Sequence, residues 1–517
     1  MTAVRANLRV AAPDGAGLAT DVYLPGDGST AAPVVVTRTA YDRSAHLHEG
    51  LGWAGHGYAF VVQDVRGRYD SDGAWRPYRA ERADGAALAD WIAAQPWCDG
   101  RLVALGGSYS AYTAWTMAVE RPALVAGLVS LGPAMGLARV KFDRSGILRL
   151  AEHAAWWLER AEARTSRTGI AAAMFAAEPD LLRHLPVAGL PERMWARLER
   201  WGDALDDGAP EAVTDAEIAR VAAATLHVGG WYDLLVDETL HQWRQTGAAH
   251  APRPPRSLLI GPWEHDLCWS PSTVVGDRDH GPESRVPPGP LLLDWLERAL
   301  GDRPGDTSAR VFVAGAGRWW TGEQWPPETV PSTWYTGAGG TLAREAAGDA
   351  ADGYRYDPAD PYPSADPGAD RSALQDRADA LRYTAEPLTE PVTIAGAPTV
   401  TLHATTTAPG TDFVARLLEC RPGGAVLAIA QGAVDTGRGH PPYHIELDHV
   451  AVTVPAGARL RLELTSSDFP QLARNLNTGA DRYRTAALAA AVQTVHSGRS
   501  APTAVTLPVL ETPWTPA

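Results

Sequence analysis

The sequence predicts an α/β domain built on a doubly wound, mainly parallel sheet, interrupted by a helical insertion and followed by an all-β sandwich or jelly roll. Three observations carry this reading. Apolar strand-type runs alternate with amphipathic stretches over the first part of the chain. A segment dominated by Ala, Leu, Glu and Arg breaks that rhythm between Leu137 and Ala224, and period-two alternation takes over beyond about Pro327.

Taken in order, GLATDVYLP, PVVVTRTAY and YAFVVQDVRG read as strands separated by turns. In YRAERADGAALADWIAAQPW the apolar positions recur at three- and four-residue intervals, which predicts a helix. The alternation continues through RLVALGG, YTAWTMAVERP and LVAGLVSLGP. The insertion, with ILRLAEHAAWWLERAEA and LPERMWARLERWGDAL, contains no convincing strand and reads as a helical cap lying over the sheet. Strand runs resume with ATLHVGGWYD, RSLLIGPWEH and ARVFVAGAGRWW, completing the sheet. A Gly-, Asp- and Pro-rich stretch then leads to PTVTLHATTT, DFVARLLEC, HVAVTVPAG and ARLRLELTSS, whose alternation predicts the β sandwich. The expected division is 1–136 and 225–327 for the α/β domain, 137–224 for the cap and 328–517 for the jelly roll.

A chain of 517 residues exceeds what one hydrophobic core supports, and 45% hydrophobic with 21% charged residues is ordinary globular composition. The net charge of −15 opposes nucleic-acid binding, because neutralising phosphates needs clustered cations and Lys141 is the single lysine. Cys98, Cys268 and Cys420 lie far apart, so neither a disulfide framework nor a zinc cluster is expected, and a reducing compartment fits. The N-terminus lacks signal-peptide features and no apolar run is long enough for a membrane span, so a cytoplasmic protein without membrane partners is expected.

Candidate chemistry sits in LVALGGSYSAYTAW, residues 102 to 115. A strand ending in Gly-x-Ser and followed at once by a helix is the setting of a nucleophile elbow, where small neighbours let the serine occupy a tight turn. Gly106 and Gly107 precede Ser108; Ser110 stands where a second glycine is usual, and Ala111 follows. A lone serine of this kind is often only a turn residue. Its hydroxyl needs a histidine base, and the histidine needs a carboxylate to fix its tautomer, in the chain order Ser, Asp or Glu, His. Asp233 ends one later strand run and His265 the next, where catalytic groups gather in open α/β sheets. Either alone reads more readily as an N-cap aspartate or a surface histidine; together, in order, they point to a triad.

These residues resemble the CocE/NonD group of serine hydrolases, the cocaine esterase and X-prolyl dipeptidyl-peptidase superfamily. The resemblance rests on RTAYDR, VVQDVRGRYDSDG, GGSYSA, GGWYD, IGPWEH and SSDFPQLARNLNTG, spread over nearly the whole chain. It implies an α/β-hydrolase domain with a helical cap and a following jelly roll. It also implies Ser108 as nucleophile, His265 as general base and then acid, Asp233 as orienting carboxylate, and an oxyanion hole made by the Tyr41 phenol and the Tyr109 backbone N–H. Ala111 departs from a glycine common in the family, and its methyl narrows the elbow.

Asp64, Arg66 and Gly67 fit a loop bracing the elbow better than a substrate contact. Trp156 or Trp157 in the cap, and Leu234 and Leu235 after Asp233, are candidates to touch substrate, although aromatic residues at helical spacing are more often core. His46, His56, His153, His227 and His241 have no metal-type spacing. The expected function is hydrolysis of a carboxylic ester, or amide, of a small acyl substrate through an acyl-enzyme, with no cofactor. X-prolyl peptidase, acylase and acyltransferase or cyclase activity on the same triad remain open, as do a catalytically silent binding protein and homo-oligomerisation.

Overall fold

In the computed structural model, which describes residues 2–160, 163–206, 213–301 and 306–511, the first part of the chain forms a ten-stranded sheet. Its strands are β1 (Thr2–Ala11), β2 (Gly17–Pro25), β3 (Ala32–Thr39), β4 (Ala59–Asp64), β5 (Cys98–Gly107), β6 (Val125–Leu131), β7 (Ala224–Gly230) and β8 (Arg256–Gly261), followed by Ser308–Val313 and Arg318–Gly322. The spatial order is β1-β2-β4-β3-β5-β6-β7-β8 and then the last two. From β4 across to Ser308–Val313 all neighbours pair in parallel, and the outer pairs are antiparallel.

Both faces are covered, which is why the central strands are continuous apolar runs. Successive side chains divide between the two faces. Val34 and Val36 of β3 join a core with α2 (Glu81–Ala93) and α3 (Tyr109–Glu120), whereas Val35 joins one with α1 (Leu47–Gly55) and the helix Pro288–Leu300.

The cap is more broken than its composition predicts. After α4 (Leu137–Lys141) and α5 (Leu150–Glu159) come only short helices, including Ile170–Ala177, Leu190–Arg193 and Trp201–Leu205. The stretch LPERMWARLERWGDAL, read as part of the helical insertion, holds only short helices: Trp195 takes φ +53, a left-handed conformation that ends helical hydrogen bonding, and stands 90% exposed. The cap's apolar core includes Phe469 and Ala473, which belong to the C-terminal domain. The motif SSDFPQLARNLN is thus a clasp: Ala151 N–H donates to Pro470 O at 3.0 Å, and Ala473 N–H to Leu148 O at 2.8 Å.

Beyond Arg318–Gly322 the chain forms a jelly-roll-type β domain with an eleven-stranded sheet and a three-stranded one. The alternating stretches become Thr399–Leu402, Asp412–Cys420, Val450–Val454 and Arg459–Thr465, whose inward residues, among them Val400, Leu417, Val452 and Leu462, form one core. Among the described residues no helix is long and apolar enough to cross a membrane.

Candidate active site

The buried run of β5 ends in Gly106 and Gly107 and passes directly into α3, with Ser108 as the N-cap at φ 55 and ψ −123. That is a strained conformation for a residue with a Cβ, held by its surroundings. Ser108 N–H donates to Leu131 O at 2.9 Å, and Ser108 O accepts from Ala111 N at 3.0 Å and Ala134 N at 3.1 Å. Gly106 is obligatory: a Cβ there would lie 2.1 Å from Ser110 O. The strand-to-helix approach therefore rests on Gly106, and Ala111 is accommodated fully buried.

Asp233 follows β7 and His265 follows β8, at the strand ends on the same side as Ser108. Asp233 is buried, and its Oδ1 accepts from Leu235 N at 3.0 Å and lies 3.0 Å from His265 Nδ1. Asp233 Oδ2 is buried and has no hydrogen-bond partner among the described residues. Desolvation by the surrounding protein draws the His265 imidazole down, but the Asp233 carboxylate, bonded to it, outweighs this and with Glu152 and Asp266 leaves it above the usual histidine value. Gly132, just past β6, lets the pair settle: at φ +46, its Cβ would stand 2.8 Å from Asp233 Oδ2 and 3.5 Å from His265 Cε1. Among the described residues Ser108 makes no hydrogen bond to His265, although both line one cavity, a looseness common before substrate binds.

Tyr41 lines that cavity half-buried, beneath the Arg160 guanidinium at 5.3 Å from the ring centroid. Among the described residues its hydroxyl makes no hydrogen bond, which leaves it a donor for a ligand. Tyr109 offers its N–H in the first turn of α3, where helix N–H groups lack internal partners. Its side chain faces the other way, fully buried: the hydroxyl donates to Glu81 Oε1 and accepts from Tyr78 N at 3.0 Å. Burial raises the Glu81 carboxyl above its usual range, and the Tyr109 hydroxyl opposes it.

The loop after β4 braces this assembly. Asp64 pairs with Arg43 at 2.5 Å, Arg66 bridges Asp84 and Asp14, and Gly67 sits at φ +72 where a Cβ would be 2.1 Å from Trp75 N. Arg68, which the sequence reading passed over, is fully buried; it donates to Ala40 O at 2.8 Å, beside Tyr41, and to Arg160 O, Ala163 O and Ser166 Oγ of the cap.

The cavity measures about 870 Å³ and is lined by Ser108, Tyr41, His265, Trp156, Leu234 and Leu235 among others. Trp157 is absent from the lining. Adjacent helical residues point about 100° apart, and Trp157 lies 2% exposed inside the cap core. Glu152, one turn before Trp156, was also missed: an acid four residues from a cavity-facing tryptophan was the available signal. It forms no ion pair among the described residues, and it lines both this cavity and a second of about 820 Å³ between cap, strand ends and jelly roll. Glu152 is exposed toward the cavities, where desolvation by the surrounding protein raises its carboxyl, Asp233 adds to this, and His265 opposes it. Among the described residues no group of three His, Cys, Asp or Glu side chains is placed to hold a metal ion.

A doubly wound sheet with a serine on its strand-to-helix turn, roofed by a cap, defines the class: an α/β-hydrolase domain joined to a jelly roll. The sequence pattern of the X-Pro dipeptidyl-peptidase (S15 family) matches residues 14–266, and that of the X-Pro dipeptidyl-peptidase C-terminal non-catalytic domain matches residues 305–506. Cocaine esterase of Rhodococcus sp. (strain MB1 Bresler) is 30% identical over 586 residues, covering 98% of this chain and 99% of that one. The chain therefore belongs to the CocE/NonD and X-Pro dipeptidyl-peptidase family of serine hydrolases. An α-amino acid ester hydrolase shares the fold with TM-score 0.83 at 21% identity, covering 98% of this chain and 97% of that one. An aminopeptidase from a marine sediment archaeon of the Thaumarchaeota does so with TM-score 0.79 at 22% identity, covering 99% and 96%.

Proposed function

We propose that the protein cleaves a carboxylic ester through an acyl-enzyme on Ser108. The observation that carries this is the Asp233–His265 hydrogen bond at 3.0 Å, opening into the cavity that exposes Ser108 on its strained turn. His265 takes the Ser108 proton as Oγ attacks the carbonyl carbon, and Asp233 stabilises the imidazolium that results. The Tyr41 hydroxyl and Tyr109 N–H hold the oxyanion. Collapse expels the alcohol with the proton from His265, and water then repeats the sequence to release the acid.

Turnover of a 4-nitrophenyl ester, an acyl anilide and an X-Pro anilide by wild type and Ser108→Ala tests this. Fast ester cleavage abolished in the variant is expected. Full activity without Ser108 refutes the nucleophile, transfer of the acyl group to an added amine in place of water makes the protein a transferase, and failure of a phosphonate probe to label it favours a silent binding protein.

Glu152 favours a second reading, in which the acyl group carries a protonated amine, as in aminoacyl esters or X-Pro peptides. An unpaired carboxylate in the reaction cavity suits an ammonium group. On that reading Glu152→Gln raises KM for an aminoacyl ester at least tenfold and leaves an acetyl ester unchanged; parallel effects on both substrates reject it.

A further inference from the structure

The cavity around Ser108 extends well beyond what a short acyl group fills, and its outer end lies between two helices. α1 turns one face to it, with His48, Gly52 and His56 at four-residue spacing and Trp53 alongside. The helix Pro288–Leu300 faces it with Pro288, Gly289, Leu292 and Leu293. Each helix thus contributes one exposed glycine to the slot. Neither glycine has positive φ, and a Cβ on either would meet no heavy atom within 4 Å. Backbone geometry and packing therefore do not require glycine at these positions; what the missing side chains leave is room.

Much of the lining is apolar and well packed. Trp53 and Leu292 are 6% exposed and Leu267 is 4% exposed, while Trp269 stands at the rim 48% exposed. A half-exposed tryptophan over a leucine-lined slot is apolar surface left open toward solvent, the usual mark of a binding groove. Polar side chains line the cavity too, among them Glu49, Glu152, Arg160 and Asp266 besides the reaction residues and the histidines near α1.

Building on Ser108 as nucleophile, we propose that this slot takes the apolar chain of an elongated ester, on whichever side of the carbonyl the chain lies, and that Gly52 and Gly289 determine the length accepted. The Cβ of a leucine at either position would start in open space, and on this proposal its side chain shortens the slot. In the middle of α1 it would also replace a residue of poor helix propensity.

Two substrate series from two to ten carbons separate the sources of the chain: 4-nitrophenyl alkanoates vary the acyl side, and alkyl acetates vary the alcohol. In at least one series wild-type kcat/KM is expected to rise about threefold per added methylene. Gly52→Leu and Gly289→Leu should each lower the ten-carbon value about tenfold or more and leave the two-carbon value within about twofold, the loss of several buried methylenes. Gly55→Leu is the control, since Gly55 lies on the same helix outside the cavity lining and also has open space at its Cβ; it should leave the profile unchanged. The proposal is overturned if wild type declines beyond four carbons in both series, if both slot variants keep the wild-type ratio, or if Gly55→Leu shifts it equally. Absence of all ester turnover would instead refute the reading in the preceding subsection. The slot is then judged by tryptophan quenching with decanoate and butyrate: tighter decanoate binding lost in Gly52→Leu supports it, and equal binding of the two acids refutes it.

Discussion

Adding one methyl group at Gly132 separates the geometry of the Asp233–His265 pair from its chemistry. In Gly132→Ala the new Cβ would start 2.8 Å from Asp233 Oδ2, where ordinary contacts begin near 3.4 Å, so the carboxylate must yield by roughly half an ångström. Oδ1 cannot follow freely, because it is bonded to Leu235 N and His265 Nδ1 at 3.0 Å each. A misplacement of about 1 Å costs up to about 10²-fold in rate, so this smaller one should lower kcat about 10- to 50-fold on an acetyl ester. Alanine at φ +46 adds strain of about 1–2 kcal/mol. The pH profile supplies the diagnostic. Asp233 holds the His265 pKa up, so weakening their bond must lower it, and the acidic limb of kcat/KM, where the base loses its proton, moves to lower pH. A variant within threefold of wild type and with an unmoved limb would refute the reasoning, since the methyl would then have found room without disturbing the pair.

Three other outcomes are expected. Tyr41→Phe should lower kcat about 10²- to 10³-fold, equivalent to losing about 3–4 kcal/mol of oxyanion stabilisation, with KM nearly unchanged; a raised KM with intact kcat would make Tyr41 a packing residue. In wild type the acidic limb of kcat/KM should lie above 6.5, the ordinary histidine value, because the folded environment favours the charged ring; a limb at or below that value contradicts the coupling. Arg68→Met should destabilise the fold by about 3 kcal/mol, because the carbonyls of Ala40 and Arg160 lose their buried donor, and cleavage in the cap under limited proteolysis should accelerate; unchanged urea melts would show that the brace is dispensable.

The parts of the fold that sequence discloses are those governed by local chemistry. Two glycines before Ser108, apolar runs ending at Asp233 and His265, and the alternation in DFVARLLEC are each determined by neighbours in the chain. What stayed hidden depends on distance or direction. Arg68 reaches Ser166, 98 residues away, and nothing in its own stretch announces that contact. Trp156 and Trp157 are identical in type and adjacent, and only the rotation of α5 sends one to the cavity and the other into the cap. Glu152 read as an ordinary polar helix position because its neighbours in space, Asp233 and His265, lie far along the chain. The breaks between the cap's helices were not legible either, since composition carries no sign of the reversal at Trp195.

The clasp between Leu148 and Ala473 has a bearing on how the protein is made. During synthesis the sheet, the serine turn and the whole span of the cap leave the ribosome while the segment from Phe469 to Ala473 has yet to be translated. The nascent chain therefore carries its elbow beneath an unfinished roof, and the segment that fastens it emerges late in the C-terminal domain. A product truncated before Phe469 would retain every residue assigned to the reaction and still lack the inner lining that settles the cap upon them.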